Sequence, residues 1–301
     1  MIRPGIRGAI SAALLVGLGA GITSCASRDA SPPATGVALT IGLQAPLDQQ
    51  VVGLAYGEVL EARGFTVDYN PGVRGRRAML NALQDGLVDL TPEYAGQLLS
   101  AADPGSPEKA RTAVLGALPR ALAPYGLTVL ADSDAEKATV FVVTDEFAEA
   151  QHVEDLEDLA PIGQAITIGG TVDFENESYG RSGLTSTYGL EDWGFRPADD
   201  PQELIALLRA GGVQVAALSW IDPGVHADDL TILADPQGLA PAQNVVPVLP
   251  SGVASPQIQV ALDAVQQALT TKDLAAFAAA GDELPAAVAH EWLVSEGLIE
   301  D

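Results

Sequence analysis

The chain has one cysteine in 301 residues, few aromatic side chains (5%), and only 15 lysines and arginines against 40 aspartates and glutamates. A single cysteine excludes an intramolecular disulfide. A formal charge of -25 gives a surface that repels nucleic acid and anionic lipid headgroups. The three histidines, His152, His226 and His290, are far apart in sequence, and His290-Glu291 lacks the second histidine four residues on that a zincin helix requires. There is no Gly-x-Ser-x-Gly elbow, no P-loop, no Gly-x-Gly-x-x-Gly after a strand and no EF-hand loop. Nothing pairs a nucleophile with a base, so an enzyme is not expected, nor a cofactor or a metal site. Each histidine reads as a surface or capping residue, and the carboxylates, spread at helical-face spacing, read as a solvated acidic face.

The chain begins with a positive segment, Arg3 and Arg7, followed by an uncharged run from Ala9 to Ile22. That run is too short for a stable membrane span and suits the apolar region of a signal peptide. Ile22-Thr23-Ser24-Cys25 resembles a bacterial lipobox, which implies cleavage after residue 24 and lipid on Cys25. Residues 25–37, polar and bearing Pro32-Pro33, then form a flexible tether. Removing residues 1–24 takes away Arg3 and Arg7 and no acid, moving the formal charge from -25 to -27. With no polybasic second anchor, the lipid would carry attachment to the extracytoplasmic face of the cell membrane.

After the tether the pattern alternates. Val37 to Leu43 reads as a strand, Gln50 to Arg63 as a helix stopped by Gly64, Phe65 to Tyr69 as a strand and Gly75 to Gln84 as a helix. Leu87 to Leu90 reads as a buried strand, and Pro92 behind Thr91 as the start of a helix through Leu99, with Tyr94 on its first turn. This order calls for a parallel sheet covered by helices. A helix over Pro107 to Leu122 and a strand over Thr128 to Leu130 follow. The middle repeats the pattern: strands at Thr139 to Val143, Ala165 to Gly169, Val213 to Leu218 and Leu230 to Ala234, with helices at Glu149 to Leu159, Leu184 to Leu190 and Pro201 to Ala210. Asn244 to Leu249 is a returning strand, and three helices close the chain, over Pro256 to Leu269, Lys272 to Ala280 and Pro285 to Glu296. Two lobes are expected, residues 38–138 with 242–301 and residues 139–241, joined by strand crossings near Ala138 and Ala242.

Strand-to-helix turns at the carboxyl edge of an open sheet are where small ligands bind, which brings Tyr94 and, at the end of a second buried strand, Trp220 forward as candidate contacts. Arg74, Arg76 and Arg77 cluster where a Gly-rich turn enters a helix, and two readings stand: an anion site at the helix start, or pairing with neighbouring acids on the surface or contact with a partner protein. Tyr56, Tyr188, Trp193 and Trp292 read as packing residues.

Ile41-Gly42-Leu43-Gln44, the helix from Ala55 to Phe65 and above all Asp89-Leu90-Thr91-Pro92-Glu93-Tyr94-Ala95-Gly96 resemble the substrate-binding proteins of osmoprotectant ABC transporters, the glycine betaine, choline and carnitine binders of the ProX and OpuBC type. The likeness continues through Asp155 to Pro161, Tyr188-Gly189-Leu190, Val213 to Ala216 with Asp222, and Asn244 to Val248. It implies an α/β, two-lobed periplasmic-binding-protein fold of type II, each lobe a sheet flanked by helices. It also implies a small-molecule solute held between the lobes, delivery to an ABC permease and its ATPase, and a monomer.

In that family a cage of tyrosines holds a quaternary ammonium, and a lysine, an arginine and a threonine hold the carboxylate. Tyr94 keeps a cage position. Gln44 stands where the family has its lysine, Ala95 where it has threonine, Thr139 and Gln243 where it has tyrosines, and Ser219 or Trp220 where it has another aromatic; only Arg181 fits the clamping arginine. Each ring face lost from a desolvated cage costs about 0.5–2 kcal/mol, so two or three losses weaken a betaine more than about a hundredfold. The expected ligand contacts are therefore Tyr94 and Trp220 as stacking surface, Gln44, Thr139, Ser219, Gln243 and Asp222 as polar contacts, and Arg76 and Arg181 as cations. The solute is a small polar or quaternary-amine-like molecule and not tightly bound glycine betaine. A ligand sensor or envelope adaptor that keeps the fold without transport is the alternative.

Overall fold

The computed structural model describes residues 38–281 and 283–300, the side chain of residue 164 excepted. The leader, Cys25 and the tether lie outside the described residues. Among the described residues no helix is long and apolar enough to cross a membrane.

The first lobe opens with β1 (Ala38–Gly42), α1 (Leu47–Glu61), β2 (Thr66–Asn70) and α2 (Arg76–Gln84), and β1 and β2 pair in parallel, Ala38 opposite Thr66. α1 buries Val51, Val52, Ala55, Tyr56, Val59 and Leu60, which is more than one face, because the sheet lies on one side and the three C-terminal helices on the other. β3 spans Thr91–Tyr94 and α3 spans Ala95–Ala102. The helix expected from Pro92 thus begins three residues later, and Tyr94 is its extended N-cap (φ -93°, ψ 124°). The expected strand over residues 87–90 is reduced to a parallel bridge between Leu90 and Ile41, with Gly42 N–H donating to the Leu90 carbonyl at 2.8 Å.

Pro92 sits in a strand because of its partner. β10 (Val245–Pro250) runs antiparallel to β3 and places Pro247 opposite Pro92. Two facing prolines exchange no N–H bonds, so they occupy a non-hydrogen-bonded pair and the ladder loses nothing. The Pro92 carbonyl, turned away from β10, accepts instead from the side-chain amides of Gln49 (3.3 Å) and Gln44 (3.4 Å).

α4 (Arg111–Leu122) starts four residues after Pro107, and β4 (Leu127–Val129) pairs antiparallel with the far side of β10. The second lobe contains β5 (Thr139–Thr144), α5 (Asp145–Gln151), β6 (Thr167–Gly170), α6 (Arg181–Tyr188), β7 (Gly194–Pro197), α7 (Pro201–Arg209), β8 (Val215–Ser219) and β9 (Leu230–Ile232). These strands form one sheet in the order β7-β6-β8-β5-β9. The helix expected over residues 149–159 is α5 plus a separate 3-10 turn at Leu156–Leu159, divided at His152, whose left-handed backbone (φ 57°) ends α5, and at Asp155, whose carboxylate caps the turn. β7 was not expected: Gly194, Arg196 and Pro197 hide its strand character at the edge of the sheet. The sheets are mixed, not parallel throughout. β6 is parallel to β7 and β8, whereas β5 and β10, the strands that follow the two lobe crossings, run antiparallel to their neighbours.

α8 (Pro256–Ala268), α9 (Thr271–Ala279) and α10 (Pro285–Ser295) return to cover α1. Ser255 caps α8 ahead of Pro256, and Thr270 with Asp273 forms a capping box on α9. The Gln266 side chain ties this layer together: its Oε1 accepts from the buried Tyr56 hydroxyl (2.8 Å) and its Nε2 donates to the carbonyls of Val245 (2.8 Å) and Ala131 (3.1 Å).

Candidate ligand cleft

The two crossing segments lie side by side. Glu136 and Asn244 form an antiparallel bridge, Lys137 N–H donates to the Gln243 carbonyl at 3.1 Å, and Gln243 N–H donates to the Glu136 carboxylate at 3.1 Å. Next to them is a cavity of about 380 Å³ whose wall comes from both lobes. Pro46 and Gln97 border it from the first lobe, Lys137 from the crossing, and Thr139, Thr171, Phe174, Tyr179, Asp199, Ser219 and Asp222 from the second. An adjoining hollow of about 540 Å³ shares Lys137, Asp199 and Asp222 with it and adds Asp48 and Asp200. A third hollow, about 590 Å³, lies away from the crossings, between the end of α1 and residues 297–300.

The floor beneath the cavity holds two buried carboxylates, each with its own cation. Asp48, 3% exposed, receives the Tyr94 hydroxyl and lies 3.3 Å from the Lys137 ammonium through both oxygens. Glu93, 1% exposed, accepts from Arg76 Nε at 2.8 Å and from Gln44 Nε2 at 2.7 Å. Arg76 also donates to Gln97 Oε1 at 2.6 Å, and Gln97 N–H donates to Gln243 Oε1 at 3.0 Å. Leaving either carboxylate unpaired at this depth would be expensive, and the pairing explains why acids are tolerated there.

Burial pushes the Tyr94 hydroxyl well above its ordinary pKa, and the Asp48 charge adds to the shift, so the group stays a donor. Burial takes the Tyr179 hydroxyl up to about 12. Asp222 is raised by desolvation and by the nearby Asp48, against the opposing pull of the Ser219 N–H bond and Lys137.

Of the residues expected at the site, Thr139, Ser219 and Asp222 border the cavity. Tyr94, Gln44, Gln243 and Arg76 are not among the residues that border it and are engaged in bonds within the protein. In the arginine turn, Arg76 is bound to Glu93, a buried acid and not a surface one, while Arg77 donates to the Tyr125 hydroxyl at 3.4 Å. Trp220 is half-buried against the first-lobe core with its ring 4.2 Å from that of His226, outside the cavity wall. Arg181 is elsewhere: it pairs with Glu175 at 2.6 Å and its guanidinium stacks 4.0 Å over Trp193. Tyr56, Tyr188, Trp193 and Trp292 are buried packing residues.

Sequence reading missed Lys137, Gln97, Phe174, Tyr179 and Asp199. Lys137 had a signal: it is one of three lysines in the chain and stands one residue before the expected crossing. The lysine that the resemblance places at residue 44 is absent there, and the cavity's ammonium comes from Lys137 instead.

Two α/β lobes joined by paired crossings, with a cavity of mixed polar and apolar lining between them, define a cleft-type solute-binding protein. Over residues 37–295 the chain matches the family model OpuAC, the substrate binding domain of ABC-type glycine betaine transport systems, and it belongs to that family. Its fold is similar to that of a glycine betaine/carnitine/choline ABC transporter protein (21% identity, TM-score 0.71, covering 86% of this chain and 99% of that one). It is also similar to ligand-free YehZ from Escherichia coli (20% identity, TM-score 0.66, 87% and 100%) and to lactococcal OpuAC closed on glycine betaine (15% identity, TM-score 0.56, 86% and 96%). The fold is thus that of type II periplasmic binding proteins. Members of this family are extracytoplasmic solute-binding proteins of ABC transporters and not enzymes.

Proposed function

We propose that the protein is a lipid-anchored solute receptor of an ABC importer, which captures a small polar or amine-like solute between lobes 38–138 with 242–301 and 139–241 and presents it to the permease. The observation that carries this reading is the cavity beside the paired crossings, because groups from both lobes border it and closure brings them onto one ligand. Thr139, Ser219 and Asp222 are the direct contacts, with Lys137 and Gln97. Tyr94, Gln44, Gln243 and Arg76 act from beneath by fixing Asp48, Glu93 and Gln97. Arg181 holds its own lobe, and Trp220 packs against the core of the other. Lipid on Cys25 keeps the monomer at the outer face of the membrane.

Glycine betaine is a poor fit for this cleft. One face of the Tyr94 ring is covered by the Lys137 ammonium, 5.5 Å from the ring centroid. Phe174 borders the cavity but packs among Phe141, Tyr179, Trp193 and Phe195 at centroid distances of 6.0–6.4 Å, so most of its ring is committed to the core.

A thermal-shift screen of compatible solutes, amino acids, amines, sugars and polyols tests the reading. A solute at a hundredfold its Kd adds about 2.7 kcal/mol, a rise of several degrees in Tm. Stabilisation by glycine betaine alone would contradict it.

A further inference from the structure

The charged groups around the cleft are predominantly acceptors. Asp48, Asp199, Asp200 and Asp222 surround the two adjoining hollows, and Lys137 is the one cation among the residues bordering them. Lys137 is already engaged by Asp48. The other three acids are held alike: Asp222 accepts from Ser219 N–H at 2.7 Å, Asp199 from Val172 N–H at 3.0 Å and Asp200 from Gln202 N–H at 2.8 Å. In each the second oxygen takes no hydrogen bond among the described residues. Thr139, Thr171 and Ser219 hydroxyls stand beside them.

This lining differs from an aromatic box. A quaternary ammonium has no N–H and is held by ring faces. Here the Tyr94 ring lies against Lys137, Phe174 is packed among four other rings, and the charged groups with a free acceptor are carboxylates, which are satisfied by N–H donors and left desolvated and unpaired by methyl groups. A site built to accept hydrogen bonds discriminates strongly against an analogue that lacks the donors.

We infer that the cleft selects a solute whose cationic head carries N–H bonds, a primary or secondary ammonium held by Asp222 and Asp199, and discriminates against the N-trimethylated form of the same molecule. This rests on the solute-receptor reading and deepens it. Lys137 supplies the reason the quaternary head is refused at Tyr94: the protein's own ammonium already lies over that ring.

Isothermal titration calorimetry of the purified protein with three matched pairs tests the inference: ethanolamine and choline, glycine and glycine betaine, γ-aminobutyrate and its N-trimethyl derivative. The expected result is that the tightest binder of the six carries N–H bonds and exceeds its trimethylated partner at least tenfold. Asp222→Asn, which keeps an acceptor for Ser219 N–H, should weaken that binder tenfold or more; Asp199→Asn, at an exposed position, should weaken it severalfold and serves if Asp222→Asn fails to fold. A trimethylated compound as the tightest binder, or no effect of either substitution, overturns the inference. If sugars or polyols bind and none of the six does, the inference falls while the solute-receptor reading stands; if nothing binds, both fall.

Discussion

The Lys137 ammonium lies 5.5 Å from the centroid of the Tyr94 ring, so the residue that most resembles a cage tyrosine is covered by a cation of the same chain. Tyr94 gives its hydroxyl to Asp48, and Lys137 is Asp48's counter-charge, so the three form one unit under the cleft. The unit ties the crossing at Lys137 and the end of β3 to the first turn of α1.

Removing the ammonium should expose this dependence. Lys137→Met leaves Asp48 buried without a counter-charge and should cost about 2–3 kcal/mol, less than the ~3–5 of a fully enclosed pair because Lys137 retains 23% exposure. The double variant Lys137→Met with Asp48→Asn should recover more than half of the loss. Urea denaturation of Lys137→Met, Asp48→Asn and the double variant reads the coupling.

Gln266 offers a second test of buried polar chemistry. Gln266→Leu strands the buried Tyr56 hydroxyl and takes one donor from the carbonyls of Ala131 and Val245, the second of which keeps its bond from Ser133 N–H, and about 1–3 kcal/mol of stability should go with them. Adding Tyr56→Phe removes the stranded hydroxyl and should restore about 1 kcal/mol, measured by the same denaturation.

Two helical glycines should respond oppositely to alanine. At Gly96 in α3 a Cβ would stand 2.7 Å from the Ala242 carbonyl oxygen and 2.9 Å from Gln243 Nε2, so Gly96→Ala pushes the helix off the crossing segment and should cost about 1–3 kcal/mol. At Gly116 in α4 nothing lies within 4 Å, and Gly116→Ala should add about 0.5–1 kcal/mol. Differential scanning calorimetry distinguishes the two signs.

Asp222 should make ligand-free stability depend on pH. Its carboxyl is raised above the ordinary value of 3.8, chiefly by desolvation, so the folded state favours the protonated form and ionisation works against the fold. Wild type and Asp222→Asn should therefore match at pH values below that range. As pH rises from there towards neutrality, wild type should fall behind, leaving Asp222→Asn the more stable protein at pH 7 and the weaker binder. Melting curves from pH 3 to 7 follow the gap.

Most of the element order was legible in the sequence, because strongly apolar strands and capped helices announce themselves locally. The turn at residues 86–96 was not. Pro92 signals a helix start by itself, and only the presence of Pro247 across the ladder, 155 positions away, makes it a strand residue. The site followed the same division. Thr139 and Ser219 sit at strand ends that sequence patterning locates, Asp222 lies in the turn just after β8, and all three reach the cavity wall. Tyr94, Gln44, Gln243 and Arg76 were placed near it, but their engagement with Asp48, Glu93 and Gln97 depends on contacts between distant segments. Arg181 was chosen by alignment to a clamp, and Glu175 six residues before it claims the guanidinium.

The most direct test of the account is a crystal structure with the tightest-binding solute of the screen. The account predicts that solute in the cavity beside the crossings, within hydrogen-bond distance of Asp222 and of at least one of Thr139, Ser219 and Lys137, with Tyr94 still bonded to Asp48. A solute bound in the hollow at the end of α1, or one seated on the Tyr94 ring with Lys137 displaced, would contradict it.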